Sequence, residues 1–326
     1  MTKKEQESFT THTTCTGPDG RWVGHHVELV RDKDGVLIKF PDHDDIEKDA
    51  LISTMRGDDP AFRGCISTFI EATGGDAHGL SEILAREASE AGPASNKIQI
   101  LLEAGADPNH KSWDGGETAL HAAAGRGYRN IKPLLEGGAR VDATDGRGKT
   151  PLFYAARAGR VMALRMLLKA GADPDARDQF NQNALHEAVK SGAGYKSIGP
   201  LIEAGADPTA TDSLGLRKKG FTPLHCAAAA NNDNAIRALL EKGVDPDIRD
   251  FIMNTPLHIA AANDNWFPIT LLVQIGGANP YLKNRNGLTP LDVAKKREKM
   301  DIGGNEQVIM ALKSAMRRHD QLKEEG

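Results

Sequence analysis

Thr255-Pro256-Leu257-His258 is the stretch that decides the fold. Threonine is a good helix N-cap and proline is favoured at the first helical position, so these four residues start a helix. One such start says little, but this one recurs. Thr118-Ala119-Leu120-His121, Thr150-Pro151-Leu152-Phe153, Asn183-Ala184-Leu185-His186, Thr222-Pro223-Leu224-His225 and Thr289-Pro290-Leu291-Asp292 repeat it at intervals of 32, 33, 39, 33 and 34 residues. Self-similarity on that period is the signature of a repeat array.

Working outward, each start leads into the same succession. Alanine pairs such as Ala155-Ala156 and Ala260-Ala261 let two antiparallel helices approach closely. A second helix then carries apolar residues at helical spacing: Ile131, Leu134 and Leu135; Leu164, Leu167 and Leu168; Ile236, Leu239 and Leu240. Glycine ends it in the left-handed conformation. Gly105-Ala106-Asp107-Pro108, Gly171-Ala172-Asp173-Pro174 and Gly205-Ala206-Asp207-Pro208 keep the same beat, with looser copies at Gly138, Gly243 and Gly277. Asp-Pro turns the chain outward, and a stretch such as Asp145-Gly146-Arg147-Gly148 makes a tight hairpin tip.

These two coupled motifs resemble the ankyrin repeat over about residues 80–316. The resemblance implies an all-α repeat solenoid of helix pairs with β-hairpin fingers, stacked in an L shape whose fingers and inner helices form a concave binding face. It also implies that the recurring histidine hydrogen-bonds within and between repeats, a chain broken where Phe153 and Asp292 replace it. About eight units are expected across 46–318. The degenerate ends, 46–79 and 282–318, serve as caps, because a terminal repeat must be polar on its outer face. Val308, Ile309, Leu312 and Met316 form the apolar stripe of the last helix, and 319–326 is expected as a polar tail.

Residues 1–45 differ. The first 16 are polar and Thr-rich, and Asp32-Lys33-Asp34-Gly35 between apolar runs predicts a β-hairpin. A lone hairpin is marginal in water. It is expected to dock on the first helices through Trp22, Leu29, Leu37 or Phe40.

Composition narrows the function. With 41 basic and 45 acidic side chains in 326 residues, the net charge of -4 gives no nucleic-acid footprint. No apolar run reaches the roughly 18 residues of a membrane span, and the start of the chain carries no secretory pattern. Three widely spaced cysteines, Cys15, Cys65 and Cys226, fit reduced thiols in a cytoplasmic protein.

Several tempting sites fail on geometry or spacing. His121, His186, His225 and His258 sit at one repeat position, but neighbouring helices lie about 8–10 Å apart, too far for one ion with ligands at about 2.1 Å. Gly146-Arg147-Gly148-Lys149-Thr150 ends like a phosphate loop, yet Ala143 stands where the earlier glycine is needed. His25-His26 and Asp42-His43-Asp44-Asp45 lack ligand spacing, and Lys190 replaces the second histidine that His186-Glu187 would need as a zinc protease. Cys226 lies inside the inner-helix motif and is expected to be packed rather than reactive. No cofactor, metal or catalytic residue is expected.

What remains is a binding surface. Trp113, Arg147, Phe180, Phe251, Ile252 and Met253 fall at or near finger tips, and the enlarged finger behind the 39-residue interval holds Leu214, Arg217 and Lys218. Apolar groups exposed on a shared face mark interaction sites. Arg126, Arg157 and Lys190, at helix ends, give the middle of the face a positive cast that suits an acidic partner segment. Trp266 is either a second anchor or a plug between repeats. The reading is a monomeric protein-interaction module, adaptor or inhibitor, binding on the concave face. Alternatives are an immunity-type inhibitor of a toxin or autolytic enzyme, and an enzyme with its site in the N-terminal region.

Overall fold

The computed structural model describes residues 8–11, 14–16, 22–24, 27–32, 35–39, 63, 66–67, 77–89, 96–112, 115–126, 128–213, 220–299 and 306–325. Near the N-terminus, β1 (Ser8–Thr11), β4 (Val27–Asp32) and β5 (Gly35–Lys39) form an antiparallel sheet in the order β1-β4-β5, with Asp32 opposite Gly35. β2 (Thr14–Thr16) pairs with β3 (Trp22–Gly24). Packing by the side chains of Trp22, Leu29, Leu37 and Phe40 lies outside the described residues, as does nearly all of the unit expected at 46–79.

Fourteen helices follow among the described residues. The inner row is α1 (Ala77–Ala88), α3 (Ala119–Gly125), α5 (Pro151–Arg157), α7 (Ala184–Lys190), α9 (Pro223–Ala229), α11 (Pro256–Ala262) and α13 (Pro290–Lys299). The outer row is α2 (Lys97–Glu103), α4 (Ile131–Glu136), α6 (Val161–Lys169), α8 (Tyr195–Glu203), α10 (Asp233–Glu241), α12 (Trp266–Gln274) and α14 (Glu306–Glu325). Each inner helix packs on the next inner helix, and each outer on the next outer. Residues 319–325 continue α14 as helix.

One continuous core runs between the rows. Leu120, Leu152, Leu185, Leu224 and Leu257 recur at one inner-helix position and are all buried. The alanines beside them, Ala123-Ala124, Ala155-Ala156, Ala227-Ala228 and Ala260-Ala261, are buried too, which is how the rows come close with so few aromatic side chains. On the outer row Leu134, Leu167, Leu201, Leu239 and Leu272 close the core, and Val308 and Leu312 finish it at the last helix.

The starts behave as caps. Thr118, Thr150, Thr222 and Thr255 are extended at the N-cap, and Thr118, Thr222 and Thr255 form capping boxes with the histidine three residues on. His121, His225 and His258 lie 2.9 Å from the threonine hydroxyl through Nδ1. Their Nε2 atoms face main-chain carbonyls of the next finger, Lys149, Asn254 and Leu288, at 3.0, 3.0 and 2.9 Å, and His186 Nε2 faces that of Phe221 at 3.1 Å. A carbonyl only accepts, so Nε2 donates. Phe153 makes no such link, and the buried Thr150 hydroxyl beside it has no hydrogen-bond partner.

A second link was not read from the sequence. Asn130, Asn232 and Asn265, each at the N-cap of an outer helix, reach back to the inner helix of the preceding unit. Their Nδ2 atoms donate to the carbonyls of Glu87 and Ala88, of Val189 and Ser191, and of Ala228 and Ala229. Those carbonyls are the groups a helix end leaves unpaired.

Candidate functional site

Four of the described fingers are each built on one buried aspartate. Asp145, Asp178 and Asp250 each accept two main-chain N–H bonds through Oδ1, from Arg147 and Lys149, from Phe180 and Gln182, and from Ile252 and Asn254, at 2.8–2.9 Å. Asp212 takes the Phe221 N–H at 2.9 Å. Fingers also bond to one another. Gly146 N–H donates to Gly115, Gln179 to Arg147, Ser213 to Phe180 and Arg285 to Ile252, at 2.7–3.0 Å. The tips therefore form a ladder with its side chains fixed along one edge of the stack.

One tip residue per finger takes positive φ. Gly116, Gly148, Gly220 and Gly287 do so, with Asn181 in the third finger, and those residue types tolerate it. In the finger of Asp250 the residue is Met253, at φ 63°. A methionine there is strained. Its neighbours are the most apolar of the described tips: Phe251 is 51% exposed, Ile252 42% and Met253 37%. The Phe251 ring lies against the preceding finger, where a Cβ on Gly220 would come within 2.5 Å of it. One side of the ring is thus covered and held, and the rest is open to solvent.

Toward the middle of the stack a groove of about 420 Å³ runs between fingers and inner helices, lined by Glu117, Asp145, Arg147, Lys149, Tyr154, Arg157 and Glu187 among others. Glu187 is buried and accepts from Lys149 at 3.0 Å and from Lys190 at 2.9 Å. Burial pushes its carboxyl up, but the hydrogen bond and charge of Lys190, then those of Lys149, outweigh this and hold it below the usual carboxylate range. The Tyr154 hydroxyl lies 2.7 Å from Glu117 Oε1 and 2.9 Å from Asp145 Oδ2. It has one proton, so it donates to one carboxylate at a time; burial and both carboxylates push its pKa far up.

The expected face is therefore only partly assembled. Arg147 and Arg157 meet in the groove, both exposed, and Arg126 is exposed at the end of α3. Lys190 is committed to Glu187 and to Gln182 Oε1, so it adds less free positive charge than its sequence position suggests. Phe180 is half-buried in its finger. Trp113, Leu214, Arg217 and Lys218 lie outside the described residues. Trp266 is 42% exposed and edge-on to Phe267. It starts α12, at the helix-turn end, whereas the fingers enter the inner helices at the opposite end.

His121, His186, His225 and His258 are buried and bonded through both ring nitrogens, and burial pulls His186 down to about 4. Burial pushes the Cys226 thiol up to about 12, far from a thiolate at neutral pH. Among the described residues no helix is long and apolar enough to cross a membrane.

Comparison with known proteins agrees with this architecture. Models of ankyrin repeats in three copies match residues 86–178 and 131–212, a many-copy model matches 201–260, and the single ankyrin repeat matches 253–285, together running from 86 to 285. This chain belongs to the ankyrin repeat family. The human ASB11 ankyrin repeat domain superposes with a TM-score of 0.59 at 27% identity, over 72% of this chain and 96% of that domain. The E3 ubiquitin-protein ligase KEG of Arabidopsis thaliana is 33% identical over 121 residues, 37% of this ankyrin chain and 7% of KEG. NF-kappa-B inhibitor alpha of Sus scrofa is 40% identical over 78 residues, 22% of this chain and 25% of the inhibitor. Human protein fem-1 homolog A is 40% identical over 72 residues, 18% of this chain and 11% of that protein. The aligned stretch thus spans a quarter or less of each curated relative. What is shared is the repeat array, which generally serves as a protein-interaction module and not as an enzyme.

Proposed function

We propose that this ankyrin stack binds a partner protein along its finger and inner-helix face, as an adaptor or an inhibitor. Met253 carries the reading. Its strained backbone holds an exposed apolar side chain where the other described fingers use glycine or asparagine. Strain retained at a surface points to use of that surface. Phe251 and Ile252 make the tip large enough to anchor a contact, and aromatic residues favour such anchors.

Arg126, Arg147 and Arg157 supply the second part of the face. They are exposed, and among the described residues none pairs with a carboxylate. Guanidinium groups take carboxylates in paired hydrogen bonds. The partner therefore presents an apolar group to the Asp250 finger and an acidic segment to the groove. One relative is named as an inhibitor, which supports inhibition by occupation of a partner surface. The protein acts as a monomer in the cytoplasm. Its stack comprises eight units, with the N-terminal hairpin docked on the first.

The test is capture of a partner from the source-cell lysate. Wild type is run beside F251S/I252S/M253N and beside R126E/R157E. A partner retained by wild type and lost by both folded variants supports the two-part face. Undiminished retention by both overturns it.

A further inference from the structure

His78 and Glu82 stand four residues apart on α1, so they share one face a turn apart. His110, in the loop after α2, comes over that face. Its Nε2 lies 3.1 Å from Glu82 Oε1, and its ring centroid lies 4.6 Å from that of His78 at 66°. One ligand atom from each of the three falls within 4.8 Å of the others. A tetrahedral zinc ion with ligands at about 2.1 Å separates them by about 3.4 Å. The Glu82–His110 pair is already near that spacing, and the ligand atom of His78 lies within 4.8 Å of both.

The cluster is held by more than its own contacts. The Asp107 N–H donates to the buried Ser81 hydroxyl at 2.8 Å, tying the loop to α1 between His78 and Glu82. The His110 N–H donates to the Asp107 carbonyl. Asn109 bonds to Gly138 and Arg140 of the following loop. His110 is thus fixed on both sides while Glu82 and His110 stay open enough for an ion to enter from solvent. Two imidazoles and one carboxylate suit a borderline first-row ion. Magnesium and calcium prefer all-oxygen sets.

We propose that His78, Glu82 and His110 form a site for zinc or a similar divalent transition ion, with the fourth position left to water. The ion bridges α1 to the loop that leads into α3, and so fastens the first helix pair of the described stack.

The test uses the full chain stripped with chelator. Isothermal titration with zinc chloride should show one equivalent lost in His110→Ala and weakened at least tenfold in Glu82→Gln and His78→Gln. Magnesium and calcium should give no heat at this site. Cobalt should give visible d–d absorption in wild type that His110→Ala abolishes. Zinc should raise the melting temperature of wild type and not that of His110→Ala, whose far-UV spectrum shows it folded. If wild type binds zinc no tighter than about 100 μM, or all three variants bind and absorb like wild type, the site does not exist.

Discussion

Asn232 offers a sharp test of how neighbouring repeats are fixed. Its side chain does two jobs at once. Oδ1 accepts the Ala235 N–H at 3.1 Å and caps α10; Nδ2 donates to Val189 and Ser191 at the end of α7, at 2.8 and 3.1 Å. Asn232→Ala loses the cap, about 1 kcal/mol. It also loses two hydrogen bonds of about 1 kcal/mol each. The stranded carbonyls are part-buried and recover some water, so the expected loss is about 2–3 kcal/mol. Asn232→Asp separates the jobs. It keeps the cap and adds a favourable charge at a helix N-terminus. But it also points an acceptor at two carbonyls. If the backward link matters, Asp is at least as destabilising as Ala at pH 7. Urea denaturation followed by far-UV circular dichroism measures both. An Asp variant within about 0.5 kcal/mol of wild type would mean that capping is the whole role, and the reasoning fails.

Further expectations follow from single residues. Thr150→Val removes a hydroxyl that has no partner and should be neutral or stabilising, whereas Thr222→Val breaks a bond to His225 and should cost about 1–2 kcal/mol; equal urea midpoints would contradict this. Burial pulls His121, His186, His225 and His258 below the ordinary imidazole value. Unfolded imidazoles then bind protons that folded ones refuse, so stability falls as pH drops through about 6.5 and, for His186, levels off below about 4. At about 1.4 kcal/mol per pKa unit, His186 alone accounts for about 3 kcal/mol; a flat urea midpoint from pH 7.5 to 5 would oppose this. Asp250→Ala should cost about 2–3 kcal/mol and speed amide exchange at Ile252 and Asn254, its two main-chain donors. In a C15S/C65S background the half-buried Cys226, its thiol pushed up to about 12, should react with a thiol reagent at neutral pH far more slowly than a free cysteine, and labelling at the free-cysteine rate would refute this.

Much of this fold is legible in the sequence because its strongest signals are local. A cap, a proline, an alanine pair and a terminal glycine act within one helix pair, and each repeats on the same beat. The parts that escape are contacts between units. Asp145, Asp178 and Asp250 each stand five residues before a cap and could be read from that spacing, but their role depends on where the main chain turns back. Glu187 looks like a stray motif residue until Lys149 is brought to it from the previous finger. His78 and Glu82 announce only a helix face, because His110 arrives 28 residues after Glu82. Trp266 is conspicuous in sequence, but only the structure shows that it starts an outer helix with its ring 42% exposed.

Phe153 has a mechanical consequence. At four positions a histidine bolts its own helix to the finger ahead; between α5 and the finger of Asp178 that bolt is missing. Besides the packing of α5 on α7, what spans the gap is the Ser191 hydroxyl on the Arg157 carbonyl, the Asp173 N–H on Asp142, a main-chain bond from Gln179 to Arg147 and the ion pair of Lys149 with Glu187. A spring made of like coils bends evenly, but this one has a coil fastened partly by charge. Pulled from its ends, it should yield there first, and more readily in concentrated salt. The groove sits on that coil, so whatever grips the groove also sets the stiffness of the spring.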